Sequence, residues 1–229
     1  MRRTATTANA LLGLLALRKE WSTWELTKQL RRNMRFFWPR AESRIFDEAK
    51  ALVAKGLARD RQTFTGKRPR TSYAITAAGR KELREWLATP PKATALECEP
   101  LLRVLLGDLG TVEQLRVAVA QVRADGHAIL DVGRIVGPEY LAGTAPFQDQ
   151  VVMRALVLDF LSHHARMLIG WADRTDSMLD RLTGASEDEG IDLALETIRD
   201  NLAGYPPAPM PPGTDQIKRQ RSAETRSAS

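Results

Sequence analysis

The chain has 229 residues, of which 43% are hydrophobic and 27% charged, and its formal net charge is +6. This length suits one large or two small domains, with enough apolar residues for an adequate core. A single cysteine, Cys98, excludes an intramolecular disulfide and gives no sign of secretion.

Charge is distributed unevenly along the chain. Residues 1–88 carry 20 Lys and Arg against 8 Asp and Glu, a net charge of +12, whereas residues 89–229 carry 14 against 20, a net charge of −6. A strongly basic first part suits an anionic partner, and nucleic acid is the commonest polyanion in a cell. The alternative is an uneven but merely solvated surface.

The N-terminal segment holds Arg2 and Arg3 before an apolar run over residues 8–17, which superficially resembles a signal peptide. The run ends directly in Arg18-Lys19-Glu20, without a small-residue cleavage site. No run reaches the roughly 20 apolar residues needed to span a bilayer. The sequence therefore predicts a buried first helix over about Thr7–Leu17 and a cytoplasmic protein without membrane contact.

A second helix is predicted to begin at Ser22-Thr23-Trp24-Glu25. This segment fits the S-x-x-E capping box, in which the Ser and Glu side chains satisfy backbone donors at a helix start. The helix is expected to run to about Arg32. It should bury Leu26 and Leu30, which lie one turn apart, and expose Lys28.

A third helix is predicted over about Arg40–Lys55, with Pro39 placed to open it and Gly56 as its C-terminal stop. Its apolar residues recur at a helical spacing and are expected to face the core. They are Ile45, Phe46, Ala49, Leu52 and Val53. The opposite face carries Arg40, Ser43, Arg44, Asp47 and Lys50.

Two strands, Leu57–Phe64 and Thr71–Ile75, are predicted on either side of a basic turn. Gly66 and Pro69 break regular structure within the turn. Three cations lie around them: Lys67, Arg68 and Arg70. A hairpin with such a tip suits a polyanion.

A fourth helix, capped by Thr76, is predicted to close this part of the chain before Thr89-Pro90-Pro91 marks a domain boundary. The predicted domains are therefore residues 1–89 and a second, all-helical domain over residues 90–202. Residues 203–229 are Pro-rich and then basic, so this tail is expected to be disordered.

The second domain is predicted to contain helices at about 97–106, 111–136, 148–181 and 191–202, with a loop over Gly137–Pro146. The first long helix has an approximate heptad stripe: Leu115, Ala118, Val122, Ile129, Val132 and Val136. The second has its own apolar series, which includes Val152, Leu156, Phe160, His163, Met167 and Trp171. These helices are too apolar for a monomer of this size, which predicts a homodimer with the second series at its interface.

Three helices, a basic hairpin and a closing helix are the order of a winged helix-turn-helix. The predicted fold class is thus mainly α, with a small β-hairpin wing and a C-terminal all-helical dimerisation domain. The third helix can enter the major groove of double-stranded DNA, where Arg44 can bond a guanine and Ser43 a base or phosphate. The predicted DNA contacts are Lys28, Arg40, Ser43, Arg44, Lys50, Lys67, Arg68 and Arg70.

Several segments of the chain resemble the PadR family of transcriptional regulators. They are Ala10–Ala16, Glu25-Leu26, Phe37-Trp38-Pro39, Lys55-Gly56-Leu57, and Pro69 with Tyr73–Gly79. The resemblance covers about residues 8–88 and continues more weakly over residues 156–171. It implies a homodimeric repressor on a pseudo-palindromic operator, often released by a small phenolic or drug-like ligand.

The third helix departs from that family at three positions. The family usually has two tyrosines there, the second followed by proline, whereas this chain has Glu42, Phe46 and Asp47. A tyrosine that could bond phosphate is therefore missing. We therefore do not expect this chain to bind the operator sequence that is usual for the family.

Other functions are less well supported by the sequence. Trp86 and Trp171 could line an effector pocket, although plain packing among leucines is the alternative. No Gly-rich phosphate loop or nucleophile elbow is present, and the adjacent His163 and His164 cannot chelate as an i, i+4 pair. We expect no enzyme activity, cofactor or metal. The rival hypothesis is a winged-helix module that binds protein, but the net charge of +12 on residues 1–88 favours DNA.

Overall fold

The computed structural model describes residues 6–65 and 68–205. Its helices and strands, in chain order, are α1 (Thr6–Ala16), β1 (Trp21–Ser22), α2 (Thr23–Met34), α3 (Arg40–Ala54), β2 (Ala58–Thr65), β3 (Arg68–Ile75), α4 (Ala77–Leu87), α5 (Glu99–Leu105), α6 (Val112–Leu141), α7 (Val151–Leu182) and α8 (Glu187–Ala203). The prediction of a mainly α fold with a winged helix and C-terminal helices is confirmed. Within the described ranges, no helix is both long enough and apolar enough to cross a membrane.

The chain forms two compact units. The first comprises Met1–Glu99 with Asp125–Arg166, and the second Pro100–Ala124 with Met167–Ser229. The long helices α6 and α7 each contribute residues to both units. The boundary predicted after residue 89 stays a prediction, and the predicted tail lies outside the described residues from position 206 onward.

Helix α1 is the centre of the first unit. Leu11, Leu12 and Leu15 are almost completely buried, because the helix is apolar nearly all round and has neighbours on several sides. It contacts α3, α4 and β3. Leu26 and Leu30 of α2 join the same core, as the sequence predicts.

The three strands form an antiparallel sheet in the order β1-β3-β2. The predicted hairpin is confirmed, with Ala58 opposite Ile75 at its base and Thr65 opposite Arg68 near its tip. Strand β1 was not predicted, because two residues cannot show an alternating pattern. It pairs Trp21 with Tyr73 and so attaches the start of α2 to the wing.

Side-chain caps fix the helix starts. The Thr76 hydroxyl accepts from the Gly79 N–H at 3.1 Å and donates to the Gly56 carbonyl at 2.8 Å, which confirms the predicted cap of α4. Gly79 must be glycine, since a Cβ there would lie 2.1 Å from the Leu57 carbonyl oxygen. The start of α4 is thereby held against the end of α3.

Three local predictions are wrong. Phe46 is 55% exposed, because Ile45, Ala49, Leu52 and the partly buried Val53 make the contact of α3 with the core. Helix α6 continues through Gly137 and Pro138 to Leu141, so the loop begins five residues later than predicted. Pro138 is tolerated there because it removes only a hydrogen bond of the last turn. Helix α8 begins at Glu187, where Ser186 and Glu189 form a capping box that the sequence analysis missed.

Glu25 caps α2 as predicted. The Ser22 N–H and hydroxyl donate to its carboxylate at 2.8 and 2.5 Å, and the Glu25 N–H donates back to the Ser22 hydroxyl at 3.3 Å. The hydrogen bond from the Ser22 hydroxyl lowers the pKa of Glu25 below its ordinary value of 4.5, and nearby Arg70 and Arg18 add to the effect. The ionised carboxylate therefore stabilises the folded chain.

We predict that Glu25→Gln lowers the free energy of unfolding by about 1 kcal/mol at pH 7. Because the folded-state pKa is lowered, this contribution is present above the ordinary value of 4.5 and is lost as the pH falls through the folded-state value. The difference between wild type and variant should thus disappear in acid. Urea unfolding followed by circular dichroism between pH 7 and pH 3 measures it.

Glu189→Gln is the matched control, because it removes the charge from the same capping box on α8 without changing the contacts of Arg18 or Arg70. A stability loss at pH 7 no larger than that of the control would contradict a contribution from the two arginines.

Candidate nucleic-acid interface

The outward face of α3 lies opposite its buried residues. Lys50, one of the predicted DNA contacts, is exposed there, one turn after Phe46. Arg40, Ser43 and Arg44 belong to the first part of α3, but their side chains lie outside the described residues. The core contacts of Ile45, Ala49 and Leu52 leave Lys50 on the exposed side of the helix.

The wing is attached to the start of α2 by an ion pair from strand β3. Arg70 of β3 places Nη2 3.4 Å from Oε2 of Glu25, and Arg18 lies 3.8 Å from the same carboxylate. Lys67 lies outside the described residues, as does the side chain of Arg68. Arg70, predicted as a phosphate contact, is thus also a link between the wing and the start of α2.

A second carboxylate anchors the other strand of the wing. Arg61 of β2 lies 3.1 Å from Glu20, and the hydroxyl of Ser72 on β3 donates to Glu20 as well. The hydrogen bond from Ser72 lowers the pKa of Glu20, and Arg61 contributes further. No contact was predicted for Glu20 from the sequence. The sequence does contain one indication of its role: Glu20 and Glu25 are the only acidic residues among the first 41, which are otherwise rich in Lys and Arg.

Exposed aromatic side chains lie on the elements that would face DNA. Trp24, near the start of α2, is exposed, and the Lys28 ammonium lies 5.1 Å from the centre of its ring. Such a cation–π contact contributes about 0.5–1 kcal/mol at an exposed site. It holds the predicted contact Lys28 at the surface. Phe64, exposed on β2 near the wing tip, and Phe46 were not predicted as surface aromatics.

A groove of about 260 Å³ lies between α2 and α6 within the first unit. Arginines line one side and aliphatic side chains the other: Arg31, Arg32, Arg35, Val132, Ile135 and Val136. Arg32 forms an ion pair with Glu139 of α6, and the Arg35 guanidinium lies 4.4 Å from the ring centre of Phe36. This combination suits a small anion with an apolar body.

The predicted dimer residues lie along α7. Val152, Leu156 and Phe160 are 63–64% exposed and four residues apart, so they form one apolar stripe on the surface of the first unit. His163 and Met167 are also exposed. Trp171, in the second unit, is half-buried against Val119, Ala172 and Leu179.

The predicted effector residues belong to different units. Trp86 is half-buried on α4 of the first unit, and Trp171 packs within the second. Among the residues that the structure describes, no three His, Cys, Asp or Glu side chains come together as a metal site.

Comparison with known proteins identifies relatives of this arrangement. Residues 11–85 match the model of the transcriptional regulator PadR-like family. Over 79 residues, the chain is 34% identical to the negative transcriptional regulator PadR of Bacillus subtilis (strain 168). The match covers 34% of this chain and 43% of that protein, so it spans less than half of the relative's length.

Solved structures share the fold over a longer range. The PadR-like transcriptional regulator BC1756 from Bacillus cereus has a TM-score of 0.63 at 18% identity, covering 78% of this chain and 99% of that chain. Bacillus subtilis PadR in complex with operator DNA has a TM-score of 0.59 at 24% identity, covering 76% and 99%. The same protein in complex with p-coumaric acid has a TM-score of 0.55 at 21% identity, covering 77% and 98%. At these identities the likeness shows the fold alone.

Proposed function

We propose that this chain, whose N-terminal domain belongs to the PadR-like family of transcriptional regulators, is a homodimeric repressor that binds a pseudo-palindromic operator in double-stranded DNA. The observation that carries the proposal is the outward face of α3, which a buried α1 and a capped α2 hold beside an ion-paired wing. The net charge of +12 on residues 1–88 supports an anionic partner.

Helix α3 would enter the major groove, which admits an α-helix. In this arrangement Arg44 bonds a guanine edge, Ser43 contacts a base or phosphate, and Lys50 meets the backbone. Arg40 and Lys28 provide further phosphate contacts at the ends of the helix pair. Base contacts select the sequence, whereas the phosphate contacts supply most of the affinity.

The wing would anchor the protein to the phosphate backbone. Lys67, between the two strands, and Arg68 and Arg70, at the start of β3, are the three cations near its tip. Arg70 is more than half exposed beside Glu25, so its guanidinium can meet a phosphate while Glu25 orients it. A DNA-binding repressor acts where its operator lies, so the proposed location of this protein is the cytoplasm.

The apolar stripe on α7 would be the dimer interface. Val152, Leu156 and Phe160 are exposed to water, which is unfavourable for apolar side chains. A second copy of the chain, placed across a two-fold axis, would bury this row and its own equivalent. Two winged helices related by that axis would meet two half-sites, which explains a pseudo-palindromic operator.

A small aromatic acid would act as the effector. The groove between α2 and α6 offers guanidinium groups for a carboxylate and aliphatic side chains for a ring. A ligand there competes with Glu139 for Arg32 and alters the support of α2. Trp86 and Trp171, the effector residues predicted from sequence, are retained as the alternative location.

DNA binding is tested by its dependence on salt. The full-length protein is expected to bind an operator selected from a random pool, with an affinity that falls steeply as salt rises. Replacing Lys67, Arg68 and Arg70 together by alanine should reduce the log–log slope by roughly 0.9 for each phosphate that the variant no longer neutralises. Fluorescence anisotropy across a salt series measures both quantities.

Arg80→Ala, an exposed cation on α4, is the control for the wing variant and should leave the slope unchanged. An unchanged slope in the triple variant would exclude the wing from DNA contact. Failure of the wild type to bind any DNA would favour the rival function, a winged helix that binds protein.

Dimerisation is tested by charges in the stripe. Leu156→Asp combined with Phe160→Asp should convert a micromolar dimer into a monomer, because two buried carboxylates without partners oppose association. Light scattering coupled to size exclusion measures the mass. Leu141→Asp, at a more exposed leucine outside the stripe, should remain dimeric. A monomeric wild type, or a dimeric double variant, would contradict the assignment.

The effector site is tested with p-coumarate as the probe. Its addition should weaken operator binding by the wild type. Arg35→Gln should abolish this response if the groove is the site, since the variant removes a guanidinium without changing the aliphatic wall. Trp171→Phe should then respond normally. If Trp171→Phe abolishes the response and Arg35→Gln keeps it, the effector site lies at Trp171. If p-coumarate does not weaken operator binding by the wild type, it is not an effector.

A further inference from the structure

Phe46 is a large apolar side chain on the outward face of α3. It is 55% exposed, although its spacing in the sequence predicts burial. Ile45, Ala49 and Leu52, each 1% exposed, contact the core from α3, and the partly buried Val53 packs against it as well. The core therefore does not account for the aromatic ring at position 46.

Phe46 lies beside Lys50, one of the residues proposed to contact DNA. Successive residues of an α-helix are about 100° apart, so Phe46 and Lys50 differ by only about 40° and share one face. Phe46 is also the seventh residue of a helix that begins at Arg40. In helix-turn-helix proteins the N-terminal part of the recognition helix contacts the base edges.

A phenyl ring in the major groove has one complementary base feature. It cannot donate or accept a conventional hydrogen bond, so it gains nothing from guanine, cytosine or adenine edges. Thymine presents a C5-methyl group in this groove, and apolar side chains, phenylalanine included, recognise it by contact. Burial of both apolar groups against each other removes them from water.

The other exposed aromatics of the winged helix lie outside α3. Trp24 already has the Lys28 ammonium above its ring, and Phe64 lies on the wing strand opposite Pro69. Phe37 and Trp38 precede α3, and the Trp38 indole N–H donates to the Thr7 hydroxyl. Within the part of α3 whose side chains are described, residues 45–54, Phe46 is the one large apolar side chain that is exposed.

We propose that Phe46 selects thymine at one position of each half-site by packing against its C5-methyl group. The proposal rests on the proposed function, since it requires α3 to bind the major groove. Burial of one methyl group predicts a loss of about fourfold in affinity for each half-site when that group is removed.

Replacement of thymine by deoxyuridine tests this contact directly, because it removes the C5-methyl group and leaves base pairing intact. Each thymine of the selected operator is replaced in turn, and full-length wild type is compared with Phe46→Ala. Wild type should lose about fourfold in affinity at one symmetry-related thymine per half-site. Phe46→Ala should bind more weakly, lose this sensitivity and keep the wild-type salt slope.

Phe64→Ala is the matched control, because it removes an exposed aromatic side chain from the wing and not from α3. It should keep the full sensitivity to deoxyuridine. Circular dichroism of both variants checks that they fold, which the exposure of each ring favours.

The outcomes separate this inference from the proposed function. A wild type that binds its operator but tolerates deoxyuridine everywhere overturns the role of Phe46 and leaves the repressor function intact. The role of Phe46 is also overturned if Phe46→Ala keeps the wild-type sensitivity to deoxyuridine. A wild type that binds no DNA overturns both.

Discussion

The burial of α1 is the constraint on which the first unit depends. A helix that is apolar nearly all round is stable in water only if other elements cover it, and α3, α4 and β3 do so. Each fully buried leucine contributes about 1.5–3 kcal/mol. Three leucines of α1 are buried in this way, at Leu11, Leu12 and Leu15. Once α3 must cover α1 with one face, only its opposite face is left to meet a partner.

Electrostatics then sets the position of the wing on this core. The carboxylates of Glu20 and Glu25 bind Arg61 and Arg70, one arginine from each wing strand. Exposed pairs of this kind contribute little stability individually. Their effect is geometric, because Glu25 also caps α2 and so couples the start of that helix to the wing. Two acidic residues in a strongly basic segment thereby orient cations that would otherwise repel one another.

Local chemistry explains which parts of the fold the sequence predicts. Caps at Ser22 and Thr76 mark helix starts because their hydrogen bonds span only three residues. The pair between Arg70 and Glu25 spans 45 residues, so no local pattern reveals it. The exposure of Phe46 was missed for a related reason: periodicity identifies apolar positions, but the packing of the finished core decides which of them it needs. Of the candidate site, the exposure of Lys28 and Lys50 was predictable, whereas the pairing of Arg70 with Glu25 was not.

The proposed dimer interface on α7 and the proposed readout of DNA would depend on the same association. An apolar stripe such as that on α7 is stable in water only when covered, and a second copy would cover it while fixing the distance between two recognition helices. Such geometry matters because a single methyl group discriminates only about fourfold. Two symmetric methyl groups multiply their effects, so the discrimination becomes roughly sixteenfold when the sites are independent. The weak apolar readout proposed for Phe46 would thus be useful only in a dimer, which would link the exposed ring on α3 to the exposed stripe on α7.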